Sequence, residues 1–230
     1  MLQIKDLVID YPDGTRAIDS VSFSLDSGEN LAVIGANGAG KTSLLLSLVG
    51  VLTPASGQID VNGDPLTKKT LRQIRSQVAV VFQDPDDQLF MPTISEDIAF
   101  GPRSFGYDEQ EISERVASTL TELGIEHLAH RSPLKLSAGE KRMAAIATVL
   151  VMKPDFLLLD EPTAFLDPRA RRNLMSVLSD LPQGKLIATH DLSFAEQVCT
   201  RVLLLEKGHL IADDGLGLLG DSTVLEAAGL

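Results

Sequence analysis

Apolar residues along this chain come in short unbroken runs, separated by stretches in which they recur every three or four positions. The runs are Leu31-Ala32-Val33-Ile34, Val78-Ala79-Val80-Val81-Phe82, Phe156-Leu157-Leu158-Leu159, Leu186-Ile187-Ala188-Thr189 and Val202-Leu203-Leu204-Leu205. Each has the length of a strand, and continuous apolarity rather than alternation belongs to strands covered on both faces. The first run ends at a glycine and leads into Leu44-Leu45-Leu46-Ser47-Leu48-Val49, which reads as strand, loop, helix. Strands alternating with helical patterns predict an α/β fold built on a parallel sheet.

The first 30 residues follow a different rule. Leu2, Ile4, Leu7, Val8 and Ile9 precede the turn sequence Tyr11-Pro12-Asp13-Gly14, and Val21-Ser22-Phe23-Ser24-Leu25 then alternates. This predicts an antiparallel meander with one wet face. From Glu109 to about Gly124 the pattern is helical, and a further helix starts near Ser137. Residues 84–152 therefore read as a helical insertion between two parallel strands, within a single domain spanning residues 1–230. The tail after Gly208 is short and rich in Gly, Asp and Leu.

Composition narrows the function classes. With 44% hydrophobic and 23% charged residues the 230-residue chain is not a disordered one. Its 32 acidic residues against 20 Lys and Arg give a net charge of −12, which disfavours binding nucleic acid by bulk charge. The start Met1-Leu2-Gln3-Ile4-Lys5-Asp6 lacks the apolar core of a secretory signal. The longest nearly apolar stretch, Met143 to Met152, is well short of a membrane span. The single cysteine, Cys199, excludes an internal disulfide and a multi-cysteine metal site and reads as an ordinary semi-buried residue. The expected compartment is the cytosol.

The strongest chemical signal is Gly35-Ala36-Asn37-Gly38-Ala39-Gly40-Lys41-Thr42, which matches a phosphate-binding loop at every fixed position, with a strand before it and a helix after. Glycines let successive backbone N–H groups turn around phosphate oxygens, and the helix start adds a positive end. Lys41 is expected to reach the terminal phosphates, Thr42 to place its hydroxyl on Mg²⁺, and Ser43 to belong to the same nucleotide site. A second half-site follows the run 156–159. Asp160 and Glu161 sit where a parallel strand's C-terminal end faces the ligand crevice. Asp160 is expected to hold Mg²⁺, and Glu161 to polarise the attacking water.

Leu136-Ser137-Ala138-Gly139-Glu140 precedes a helical stretch. On its own it reads as a helix N-cap with a capping box, Glu140 lying three residues after Ser137. In this position, between the phosphate loop and the acid pair, it resembles the signature Leu-Ser-Gly-Gly-Gln of the ATP-binding-cassette family. It departs from that signature at Ala138 and Glu140. The resemblance extends over about residues 1–212 and implies a P-loop ATPase core, an N-terminal antiparallel β subdomain and an inserted helical subdomain. It implies ATP and Mg²⁺ as ligands, with Ser137, Gly139 and Glu140 contacting the nucleotide of a second subunit. Tyr11 resembles the aromatic that stacks on adenine. Gln83 resembles the glutamine that senses Mg²⁺ and water, His190 the switch histidine at the γ-phosphate, and Leu166-Asp167 the loop that meets the partner subunit.

Within the family, Gln83-Asp84-Pro85-Asp86-Asp87-Gln88-Leu89-Phe90 and Asp97-Ile98-Ala99-Phe100-Gly101-Pro102 resemble the ATPases of energy-coupling-factor importers, with cobalt or nickel preferred over vitamins as cargo. This implies a peripheral subunit on the cytoplasmic face, paired with a second ATPase (a copy of itself or a paralogue) and with integral-membrane subunits. Leu89 and Phe90 are then expected to form an exposed docking loop; otherwise they belong to the small helical core. The four histidines, His127, His130, His190 and His209, form no convincing cargo-metal site. Two alternatives keep the same nucleotide motifs: a soluble regulatory ATPase, and a nucleotide-dependent binding module with weakened catalysis.

Overall fold

The architecture comes from a computed structural model, which describes residues 1–221, 225, 226 and 229. The chain divides into two compact units. The first comprises Met1–Val80, Asp155–Glu161 and Leu181–Leu230, the second Val81–Pro154 and Pro162–Asp180.

Two sheets build the first unit. The antiparallel one has the order β2-β1-β4-β5, from β1 (Leu2–Asp10), β2 (Arg16–Leu25), β4 (Ser56–Val61) and β5 (Asp64–Pro65). Its apolar positions change parity along β1: Leu2 and Ile4 are buried, then Leu7 and Ile9. A register shift between Ile4 and Leu7, with Asp6 at φ 46°, inserts the extra residue that keeps both pairs on the core face. The second sheet runs β10-β9-β3-β8-β7-β6. It contains β3 (Asn30–Ile34), β6 (Val78–Val81), β7 (Phe156–Asp160), β8 (Gly184–Ala188), β9 (Arg201–Glu206) and β10 (His209–Gly215).

Strands β9, β3, β8 and β7 are parallel neighbours, and β7 and β8 are buried along their whole length. The five expected strands are all present, although β6 ends at Val81 and leaves Phe82 outside it. The alternating strand β10, paired antiparallel with β9, was not expected from the tail, nor were β4 and β5. Helices α1 (Lys41–Leu48), α2 (Leu71–Gln77) and α7 (Leu192–Val198) complete the unit. Cys199 is fully buried rather than half-buried, and burial pushes its thiol up to about 12.

The second unit is helical: α3 (Ile94–Phe105), α4 (Glu109–Glu122), α5 (Ala138–Leu150) and α6 (Pro168–Asp180), with single-turn helices at Pro85–Asp87, Glu126–Leu128 and Pro133–Lys135. Side chains of Thr93, Asp108 and Ser137 cap α3, α4 and α5 by accepting backbone N–H groups three residues on, as short polar residues do at helix starts. Ile94, Ile98, Ile112, Leu120, Leu128 and Ile146 are among its buried apolar residues. No helix among the described residues is long and apolar enough to cross a membrane.

Candidate functional site

The parallel register brings two distant sequence motifs side by side. Val33 on β3 and Asp160 on β7 both face Ala188 on the intervening β8, so Gly35 and Glu161 leave the two strands on either side of β8 within a residue of the same level. The loop Gly35–Gly40 joins β3 to α1. A Cβ on Gly35 would collide with the carbonyl oxygen of Leu205. At Gly40, with φ 106°, it would meet the carbonyl of Ala17 and sit 2.9 Å from Ile18 Cδ1. Both fixed glycines of the motif are therefore required by packing as well as by chemistry.

Lys41 is 7% exposed. Its ammonium donates to the carbonyls of Gly35 at 2.6 Å and Ala36 at 3.2 Å, and lies 3.8 Å from Glu161 Oε1. Burial lowers its pKa, while the carboxylates of Glu161 and Asp160 oppose that shift. The Thr42 hydroxyl donates to Asp160 Oδ2 at 2.7 Å. Two of the three residues expected at Mg²⁺, Thr42 and Asp160 but not Gln83, thus present a hydroxyl and a carboxylate within one hydrogen bond of each other. Hard oxygen donors of this kind suit Mg²⁺, which takes few protein ligands and completes its shell with phosphate and water. Among the described residues no group of three or more His, Cys, Asp or Glu could hold a metal on its own.

Glu161 sits just past the end of β7 with φ 42°. A left-handed backbone is costly for a non-glycine residue and is concentrated at functional sites. The strand-end hydrogen bond from its N–H to the Ala188 carbonyl, 2.8 Å, holds it there. Its Oε2 is 2.9 Å from His190 Nδ1 and accepts from the His190 N–H and the Thr189 hydroxyl, both at 3.3 Å. His190 is otherwise exposed. Thr189 was not singled out from the sequence; as the last residue of an apolar run it offers no signal there.

Tyr11 follows β1, and its hydroxyl is 2.8 Å from the hydroxyl of Ser43 in the first turn of α1. Its ring is thereby tied to the helix that begins at the phosphate loop.

The remaining candidates belong to the second unit. Ser137 and Glu140 form a complete capping box: Ser137 N–H and Oγ–H donate to Glu140 Oε2 at 2.8 and 2.7 Å, and Ser137 Oγ accepts the Glu140 N–H. The Ser137 hydrogen bonds and the nearby Arg131 hold the Glu140 carboxyl below its usual range. Gly139 is needed for packing, since a Cβ there would lie 2.7 Å from the Cβ of Ala170 on α6. Ala138 is exposed.

Gln83 lies two residues beyond β6 with its side chain exposed, and its carbonyl accepts from Arg142. The expected docking loop is corrected in part. Leu89 is 6% exposed and belongs to the core, and Gln88 is tied inward to the Ala145 carbonyl and the Thr148 hydroxyl on α5. Phe90, 62% exposed, stays outside. It meets Phe100, 45% exposed, edge to face with ring centroids 5.0 Å apart. Asp97 holds this arrangement. It is buried, and its Oδ1 accepts from the N–H groups of Phe90 and Met91 at 3.0 and 2.9 Å, while burial raises its pKa.

Residues 18–164 match the family model described as ABC transporter. The chain is 42% identical over 236 residues to the energy-coupling factor transporter ATP-binding protein EcfA of Methanothermobacter thermautotrophicus, covering 100% of this chain and 76% of that protein. A solved structure of cbiO1 from Clostridium perfringens, described as part of the ABC transporter complex cbiONQ, matches with a TM-score of 0.86 at 36% identity, covering 97% of this chain and 91% of that one. A dimeric ATP-binding cassette bound to ADP and Pi matches with a TM-score of 0.82 at 25% identity, covering 94% and 99%. Phosphate loop, acid pair and family likeness agree: the chain belongs to the ABC transporter family, as an ATP-binding subunit whose ATP hydrolysis is coupled to transmembrane transport.

Proposed function

We propose that this subunit powers an importer of the energy-coupling-factor type, with cobalt or nickel as cargo. The observation that carries the catalytic part is the convergence of Thr42 on Asp160 and of Lys41 on Glu161, from motifs more than a hundred residues apart. The importer class rests on the likeness to EcfA along the whole chain and on the resemblance of the 83–90 and 97–102 segments, and the cargo on the likeness to cbiO1 of the cbiONQ complex.

In this reading the phosphate loop and Lys41 bind the triphosphate of ATP, and Tyr11 lies against the adenine. Thr42 and Asp160 would hold Mg²⁺, which neutralises charge on the phosphates when bound. Glu161 accepts a proton from water as it attacks the γ-phosphorus and ADP leaves. His190, in contact with Glu161, fixes the carboxylate's orientation and faces the γ-phosphate. Ser137 and Gly139 of a second ATPase subunit, a copy or a paralogue, close over the same nucleotide, and Leu166-Asp167 meets that subunit.

Phe90 and Phe100 form the surface for an integral-membrane partner, which places the protein on the cytoplasmic face of the membrane. Two exposed rings in contact are an apolar patch suited to a helix of another subunit. Fully burying an aromatic side chain contributes about 1.5–3 kcal/mol, less the part already covered and the ordering cost. The test replaces both rings by Ser in cells that carry the membrane subunits. Retained ATPase activity and thermal stability, with lost co-purification and lost cobalt or nickel uptake, are expected. Normal co-purification and uptake would overturn the docking assignment.

A further inference from the structure

The loop bearing Gln83 is gripped from α5. Arg142, four residues from the start of that helix and 1% exposed, donates from Nη1 to the Phe82 carbonyl at 2.7 Å and from Nη2 to the Gln83 carbonyl at 2.6 Å. These are short, charge-assisted bonds, and the planar fork of a guanidinium matches two adjacent carbonyls as a lysine ammonium cannot. The Phe82 N–H is held as well, by Gln88 Oε1 at 3.1 Å, while Gln88 Nε2 reaches the Ala145 carbonyl and the Thr148 hydroxyl further along α5. Lys141 adds an ion pair to Asp86 at 2.6 and 2.8 Å, but Asp86 is half exposed, so this pair is the weaker tie.

We infer that Arg142 is a positioning residue, which locks the Gln83 backbone to the first turns of the signature helix so that Gln83 and Ser137–Gly139 move as one body. Strand β6 stops at Val81, so the register of Gln83 is fixed by α5 and not by a sheet ladder. The Gln83 side chain is exposed, free to reach a ligand from an immobilised backbone. Arg142 is outside the phosphate loop and acid pair, and its effect passes through Gln83. The inference therefore rests on the reading of Gln83 as the glutamine that senses Mg²⁺ and the attacking water in the proposed hydrolysis.

The test is steady-state ATPase kinetics of the full chain with Arg142→Lys, Arg142→Met, Gln83→Ala and the double variant Arg142→Lys/Gln83→Ala, each normalised to folded protein by thermal unfolding. Misplacing a group by about 1 Å costs about 100-fold in rate. Arg142→Met is expected to approach that loss in kcat and Arg142→Lys to show a smaller one, both with KM for ATP little changed. The double variant is expected to be no slower than the slower single variant, because both changes disable the same group. Lys141→Ala is expected to keep kcat near wild type. Multiplying losses in the double variant, wild-type kcat in Arg142→Lys, or an effect on KM alone would overturn the inference. Unchanged kcat in Gln83→Ala would instead overturn the reading of Gln83 itself. Should Arg142→Met fail to fold, Arg142→Lys and the double variant decide.

Discussion

Replacing Glu161 by Gln changes the chemistry of the site and almost nothing of its shape. The amide keeps an oxygen to accept from the Thr189 hydroxyl, the His190 N–H and the imidazole, contacts that now lie at 3.3, 3.3 and 2.9 Å. The backbone stays at φ 42°, held by the bond to the Ala188 carbonyl. Two properties are lost. An amide cannot accept the water's proton, which lowers the rate by about 100- to 10,000-fold in general-base catalysis. The negative charge 3.8 Å from Lys41 also disappears. Lys41 retains its two loop carbonyls, so triphosphate binding should persist.

A loss of 100-fold corresponds to about 2.7 kcal/mol of transition-state stabilisation. The assay pairs single-turnover hydrolysis with nucleotide binding by fluorescence. Slowed hydrolysis, retained ATP affinity and an ATP-dependent dimer on gel filtration are expected. Undiminished turnover would refute the base role, and loss of ATP binding would move Glu161 from catalysis to affinity.

Gly40→Ala should abolish ATP binding and destabilise the fold by about 2 kcal/mol or more, from the positive φ and the clash with the Ala17 carbonyl; a wild-type melting temperature would contradict this. Lys185 gives a pH signature. It is buried, donating to the carbonyls of Leu181 and Gln183 at 2.7 and 2.9 Å, and burial brings its pKa down to about 8 from the usual 10.5. Between those values the unfolded chain binds more protons than the folded one, so stability rises with pH across about 8 to 10.5. The gain is about 3 kcal/mol relative to Lys185→Met, measured by urea unfolding in a Cys199→Ala background because Cys199 titrates the opposite way; parallel pH profiles would refute it.

The parallel strands were legible because burial on both faces fills them with apolar residues, Lys185 in β8 being an exception, and the phosphate loop because Gly35, Gly40 and Lys41 are required at a fixed spacing. The short β4 and β5 carry turn and polar residues, and β10 alternates with charge, so their pairing is decided by the neighbouring strand rather than by their own sequence. The helical unit's caps were visible at Ser137, where the capping box is written in four residues. Arg142 and Asp97 were not visible as anchors, since a buried charge in an apolar helix is identified only by the carbonyls or N–H groups it meets. For the same reason Leu89 and Phe90, neighbours in sequence, could not be separated into core and surface before the course of the loop was known.

The most direct measurement is uptake of radioactive cobalt and nickel by cells that carry the membrane subunits together with either the wild-type protein or Glu161→Gln. Uptake of one of the two metals with wild type, and background uptake with a variant that still binds ATP and still co-purifies with membranes, is the expected result. Equal uptake with both proteins would contradict a transport cycle driven by hydrolysis at Glu161.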